Sequence, residues 1–173
     1  MINAMKKLSI LLTCLLFVQV IHSQKTVDKF ISKHLKEDHT KAMSFPGWLF
    51  KSTFNIAAKM SDDEEFKSYS KLAKYVKHIR VFLVEEHNNI PEASVQALIK
   101  TMIDEEGYDE YIRIRSEGTN VNLFAIEDGD TIKRLVFFID ESDDTFAMIR
   151  LKLKLPYSAF KELNYKLQKE LKP

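Results

Sequence analysis

Apolar residues along this chain recur first at helical spacing and then, from the middle onward, at strand spacing. Val27, Phe30, Ile31 and Leu35 share one helical face. A short extended piece is expected around His39 to Ser44. Pro46 and Gly47 then precede a second apolar helix containing Leu49, Phe50, Phe54, Ala57 and Met60. Ser61-Asp62-Asp63-Glu64 fits a capping box, in which serine and glutamate satisfy each other's free backbone donors. The helix it opens would carry Phe66, Tyr69, Ala73 and Val76. Ile79 to Val84 is apolar at nearly every position, which predicts a strand buried on both faces. Pro91 suits a helix start and Gly107 a helix end, with Val95, Leu98, Ile99 and Met102 as the stripe between them.

The remainder predicts a meander of four strands. Tyr111 to Arg115 alternates, Glu117-Gly118-Thr119-Asn120 is a turn, and Val121 to Ile126 is a strand. Asp128-Gly129-Asp130 has hairpin chemistry. Ile132 to Ile139 is a strongly apolar strand, followed by an acidic turn at Asp140 to Asp144. From Phe146 to Leu155 the alternation is clean, and a last helix follows Pro156, with Phe160, Leu163, Leu167 and Leu171 as its stripe. Turns this short make the late strands antiparallel. The strand at Ile79 reaches Tyr111 through a helix, so those two could be parallel. The expected fold is α+β, a mostly antiparallel sheet of about five strands with helices packed on one face.

Three stretches of this pattern resemble the exported bacterial family catalogued as domain of unknown function 4252. They are Leu72 to Glu86, Gly107-Tyr108-Asp109-Glu110-Tyr111, and Val121 to Leu155 with its two acidic turns. The resemblance implies an exported single domain and brings no functional residues with it.

The segment before the first helix changes the picture of where the protein works. Lys6 and Lys7 are followed by an apolar run from Leu8 to Ile21 that ends in His22, Ser23 and Gln24. This order predicts a secretory signal peptide over residues 1–23, cleaved after Ser23, with one domain over 24–173. A transmembrane anchor needs ~20 apolar residues, more than this run supplies. A lipoprotein reading would use Leu11-Leu12-Thr13-Cys14, but apolar residues follow Cys14 where a polar tether is usual. The mature chain is thus expected in the periplasm or outside the cell, without a membrane anchor. Cys14 is the sole cysteine, so the mature chain would carry no thiol. Without Lys6 and Lys7 it has 24 basic and 25 acidic residues, a formal net charge of −1. That balance gives no bulk attraction to nucleic acid.

Candidate chemistry is sparse. His34, Asp38 and His39 do not converge as a zinc site requires, because His39 turns away from the helical face of the other two. Asp140 to Asp144 begins like a calcium loop, but Thr145 and Leu151 stand where such a loop needs glycine and glutamate. No cofactor is expected. Glu85, Glu86 and His87 lie at a strand end, where carboxylate chemistry of a hydrolase is the alternative to a solvated loop.

The leading candidate is a sheet face. Tyr111, Arg113 and Arg115 alternate with Ile112 and Ile114, while Phe146, Met148, Arg150, Lys152 and Lys154 alternate with Ala147, Ile149, Leu151 and Leu153. If Val121, Leu123 and Ala125 face the core, Phe124 and Ile126 join that face. Arginine beside aromatic groups suits an anionic or amphipathic partner, a protein or an envelope component. The competing reading has the two early helices covering the aromatic part and leaving the basic residues as a solvated rim.

Overall fold

A computed structural model describes residues 25–61, 71–85, 90–116, 118–141 and 145–170. The predicted signal segment, most of the capping box with Phe66 and Tyr69, and Glu86 and His87 lie outside the described residues.

The elements in chain order are α1 (Lys25–His34), β1 (Thr40–Pro46), α2 (Gly47–Met60), a 3-10 turn (Lys71–Tyr75) and β2 (Val76–Val84). There follow α3 (Glu92–Asp104), β3 (Asp109–Ser116), β4 (Thr119–Asp128), β5 (Thr131–Glu141), β6 (Thr145–Pro156) and α4 (Tyr157–Glu170). The class is α+β, and the strands form one open antiparallel sheet of six, in the order β1-β2-β6-β5-β4-β3. The extended piece before Pro46 is the sixth strand, and it forms an edge. β2 and β3 run in the same direction but do not pair, because β6, β5 and β4 lie between them.

The helices lie on both faces of the sheet rather than on one. Phe82, Val84, Phe124, Val136, Phe138, Phe146 and Met148 form one buried layer with Val27, Phe30 and Ile31 of α1 and Leu98 and Met102 of α3. Leu123, Ala125, Leu135, Leu153 and Leu155 form a second layer with Phe160 of α4. Residues adjacent in sequence within β4, such as Leu123 and Phe124, therefore point into different cores. The cause is two-sided hydrophobicity: β4 and β5 are apolar on both faces, and each face needs a cover. A fully buried side chain of this size contributes ~1.5–3 kcal/mol, so neither face stays bare.

Two local features set the frame for the site. α2 begins where Gly47 meets the backbone of β2; a Cβ on Gly47 would lie 2.1 Å from the Val76 carbonyl oxygen. In β3 the pairing shifts between Glu110 and Ile112, a bulge that places Tyr111 outside the ladder.

Candidate functional site

The bulge at Tyr111 divides the sequence-predicted face. Arg113 pairs with Asn122 and Arg115 with Asn120, on the α1/α3 side of the sheet. Tyr111 turns to the opposite side and stacks edge-on against Phe160, with ring centroids 4.7 Å apart. The expectation that Tyr111 shares a face with the arginines is thus corrected, because one extra residue in a strand reverses the alternation. Phe124, Phe146 and Met148 are on the side expected but are fully buried beneath α1 and α3. Of the two early helices, α1 covers the aromatic part, while its second cover is α3 and not α2.

The basic residues themselves fall into two groups. β3 and β6 are separated by two strands, so Arg113 and Arg115 stand three strand spacings, ~14 Å, across the sheet from β6, with Arg150 and Lys152 further away along it, since Arg113 is in line with Met148. At the β3 edge, Arg113 donates two hydrogen bonds to Glu110, Nε to Oε1 at 2.7 Å and Nη2 to Oε2 at 2.6 Å. Those bonds raise the Arg113 pKa further above its ordinary value. Asn122 also donates to Glu110 Oε1, at 2.9 Å. This end is a closed polar cluster.

The middle of the sheet is different. Arg134 of β5 is opposite Lys152 of β6, and Lys152 is opposite His78 of β2. One step along, Arg150 is opposite Arg80. α1 supplies Asp28, whose Oδ1 accepts a hydrogen bond from Arg80 and forms an ion pair, at 3.0 Å, with Arg150. Lys77, His78, Tyr108, Arg134, Arg150, Leu151 and Lys152 line a cleft of about 400 Å³ at this place. No described residue lining it is acidic. Register shifts between Val76 and His78 and between Ile132 and Arg134 fall at the cleft, where bulges re-aim side chains.

Tyr108 stands just before β3, only 2% exposed, and belongs to the α1/α3 core. Burial pushes its hydroxyl up to about 12 despite the opposing pull of Arg134 and Arg150, so it keeps its proton at neutral pH. Arg134 donates a hydrogen bond to it. His78 Nε2 lies 2.9 Å from Ser44 Oγ. Lys154 lies beyond the cleft, in a second hollow with Lys74, Tyr75, Lys77 and Asp130. Lys77 is shared by the two hollows, so the basic surface is continuous around this end of the sheet.

A family model described as Domain of unknown function (DUF4252) matches residues 48–163, more than half of the 173-residue chain. The chain belongs to this family. The described residues that line the cleft lie within the matched part of this DUF4252 domain, whereas Asp28 lies before it. No curated protein and no solved structure matches the chain.

The other candidate groups do not converge. His34 is buried, with Nδ1 2.7 Å from Glu37 Oε1, and its Nε2 has no partner among the described residues. His39 takes a left-handed φ of 63° at the entry to β1. Among the described residues no three His, Cys, Asp or Glu side chains gather as metal ligands would. Glu85 is ion-paired with Lys41 on β1. Part of the Asp140 to Asp144 turn lies outside the described residues. Among the described residues no helix is long and apolar enough to cross a membrane.

Sequence reasoning missed His78, Arg80, Arg134, Tyr108 and Asp28. A signal was present for three of them. His78 and Arg80 are two apart in an apolar strand, and Lys133-Arg134 interrupts the most apolar strand of all. Period-two reading marks such charges as facing one way. Tyr108 and Asp28 sit on other elements and carry no such mark.

Proposed function

We propose that this DUF4252 domain is an exported binding module, not an enzyme, and that it holds an anionic group of a protein or envelope partner at the basic end of its sheet. The observation that supports this reading most is the cleft: cationic side chains from β2, β5 and β6 around one hollow, with no acidic residue among the described residues that line it. Guanidinium and ammonium groups gathered this way bind carboxylates, phosphates and sulfates through charge-assisted hydrogen bonds. Relative to the face expected from sequence, the partner-binding set moves. Arg150 and Lys152 stay in it; His78, Arg134 and Lys77 enter; Arg113 is engaged by Glu110, and Tyr111 lies on the other face.

The test uses charge reversal at two exposed positions. Lys77→Glu with Lys152→Glu should abolish partner capture from envelope extract while leaving thermal stability nearly unchanged. Arg113→Glu should leave capture intact. Partner capture that survives the double reversal places the partner elsewhere and defeats the reading. Export is tested separately, by the intact mass of the protein from its native host. A chain that retains Leu8 to Ile21 is not processed as proposed.

A further inference from the structure

Five of the eight large apolar side chains exposed among the described residues lie between Met43 and Met60, and four of them are on α2. Trp48 is 69% exposed, Ile56 61% and Met60 82%, with Leu49 beside them. At 3.6 residues per turn these four fall within an arc of about 120°. The opposite side of the helix holds Phe50, Phe54, Ala57 and Ala58, all half-buried, with the two rings 4.2 Å apart. Only Gly47 of α2 is fully buried. The helix is thus apolar on the side turned to the protein and on most of the side turned away. Its outer side also carries Ser52 and Thr53. Ser52 Oγ donates to the Trp48 carbonyl at 2.9 Å, and Thr53 Oγ1 to the Leu49 carbonyl at 3.1 Å. Hydroxyls bonded back to their own helix stay satisfied when water leaves the surface.

Charge decides what meets this surface. No acidic residue occurs from His39 to Ser61, while α2 carries Lys51 and Lys59, both exposed. α2 packs against the 3-10 turn, whose Lys71 and Lys74 are exposed as well. A second copy of the chain would set lysine against lysine across a two-fold contact, whereas an anionic surface would pair with all four. The helix has 14 residues and is therefore ~21 Å long, short of the ~30 Å hydrocarbon core of a bilayer. It can lie in the interface but not cross. Tryptophan suits headgroup depth, where its ring is in apolar surroundings and its N–H is wet, and lysine stems reach back to the headgroups. Apolar side chains with a tryptophan, bordered by lysine and free of acid, characterise helices that lie on anionic membranes. We infer that α2 is a membrane-surface helix that seats this domain on an anionic bilayer, with Trp48, Leu49, Ile56 and Met60 in the interface and Lys51 and Lys59 on the headgroups. This surface is distinct from the cleft and does not rest on the binding role proposed for it.

Trp48 is the single tryptophan, so its emission reports on this surface alone. The chain from Gln24 onward is used, because the run Leu8 to Ile21 would bind a bilayer by itself; both core layers draw only on residues from Val27 onward. Emission and co-sedimentation are followed with phosphatidylglycerol vesicles and with phosphatidylcholine vesicles. The former should blue-shift Trp48 and bind the protein about tenfold or more tightly than the latter, and added salt should weaken the binding. Ile56→Glu with Met60→Glu should weaken it by about tenfold or more. Ile56→Ser with Met60→Ser is the milder pair, should circular dichroism show the acidic pair unfolded. Lys51→Glu with Lys59→Glu should lower binding to phosphatidylglycerol by about tenfold and leave binding to phosphatidylcholine unchanged. Ile103→Glu, at an exposed apolar position of α3, should alter neither. No blue shift with phosphatidylglycerol, or binding untouched by the changes at Ile56 and Met60, overturns the inference. A blue shift that grows with protein concentration in the absence of lipid assigns the surface to a second copy and overturns it too. So does vesicle binding that is lost in Lys152→Glu but kept in the α2 variants, since the contact would then lie at the cleft.

Discussion

Replacing Asp28 with asparagine keeps the shape of the side chain and removes the carboxylate between two opposed guanidinium groups. Arg80 and Arg150 face each other across β2 and β6, and Asp28 contacts both. The side chains are 25%, 17% and 35% exposed for Arg80, Arg150 and Asp28. Exposed ion pairs contribute ~0.2–1 kcal/mol. Breaking a fully buried pair costs ~3–5 kcal/mol. Partial exposure places Asp28→Asn between these limits, at about 1–2 kcal/mol, with arginine–arginine repulsion included. For a chain of this length that corresponds to a fall in Tm of about 3–8 °C. Urea unfolding followed by circular dichroism measures it, since a guanidinium denaturant would screen the charges concerned. The deficit should shrink in 1 M NaCl, where the Debye length is ~3 Å. A variant as stable as the parent at low salt refutes the bridging role, and so does a loss that the Arg80→Gln background does not reduce.

Gly47→Ala is expected to destabilise by about 3 kcal/mol, because the new methyl would lie 2.1 Å from the Val76 carbonyl oxygen and backbone cannot step aside as a flexible side chain does; a urea midpoint equal to the parent's contradicts that contact. Phe146→Ala should cost ~3–5 kcal/mol, since the ring is fully buried among Phe30, Phe82 and Phe138 with centroids 6.2–6.3 Å apart; a loss under 1 kcal/mol would show the layer beneath α1 to be loosely packed. Tyr108 supplies a pH signature. Its folded pKa of about 12 exceeds the ordinary 10, so its contribution is complete below pH 10 and is lost as pH rises through about 12. The parent should therefore lose stability between those values by ~2 kcal/mol more than Tyr108→Phe; matching pH profiles would refute the burial of that hydroxyl.

Much of the architecture was legible before any coordinates. The periodicities of α1, α2 and α4, the hairpin at Asp128-Gly129-Asp130 and the alternation of β6 all act over a few residues. The α+β class and the antiparallel meander follow from these. The two-sided burial was written in β4 and β5 as well, where Leu123, Phe124 and Ala125 and then Leu135, Val136 and Phe137 run without a polar break. Such runs require a cover on each face, although they do not say which helix provides it.

The sequence by itself determined which residues share a face within each strand, because the side-chain period of two is local and cheap to violate only at a bulge. Tyr111 is such a violation, and nothing local announces it: Tyr-Ile-Arg-Ile-Arg alternates without a break, and the extra residue exists only relative to β4. Tertiary structure alone decided the strand order, which separates Arg113 from Arg150 by two strands and brings His78, Arg134 and Lys152 into one row. It also decided that α1 delivers Asp28 to Arg80, 52 residues away in sequence. The physical reason is that strand order is set by burying two apolar faces under helices from distant parts of the chain, so the meeting of these charges is a consequence of the whole core and of no single segment.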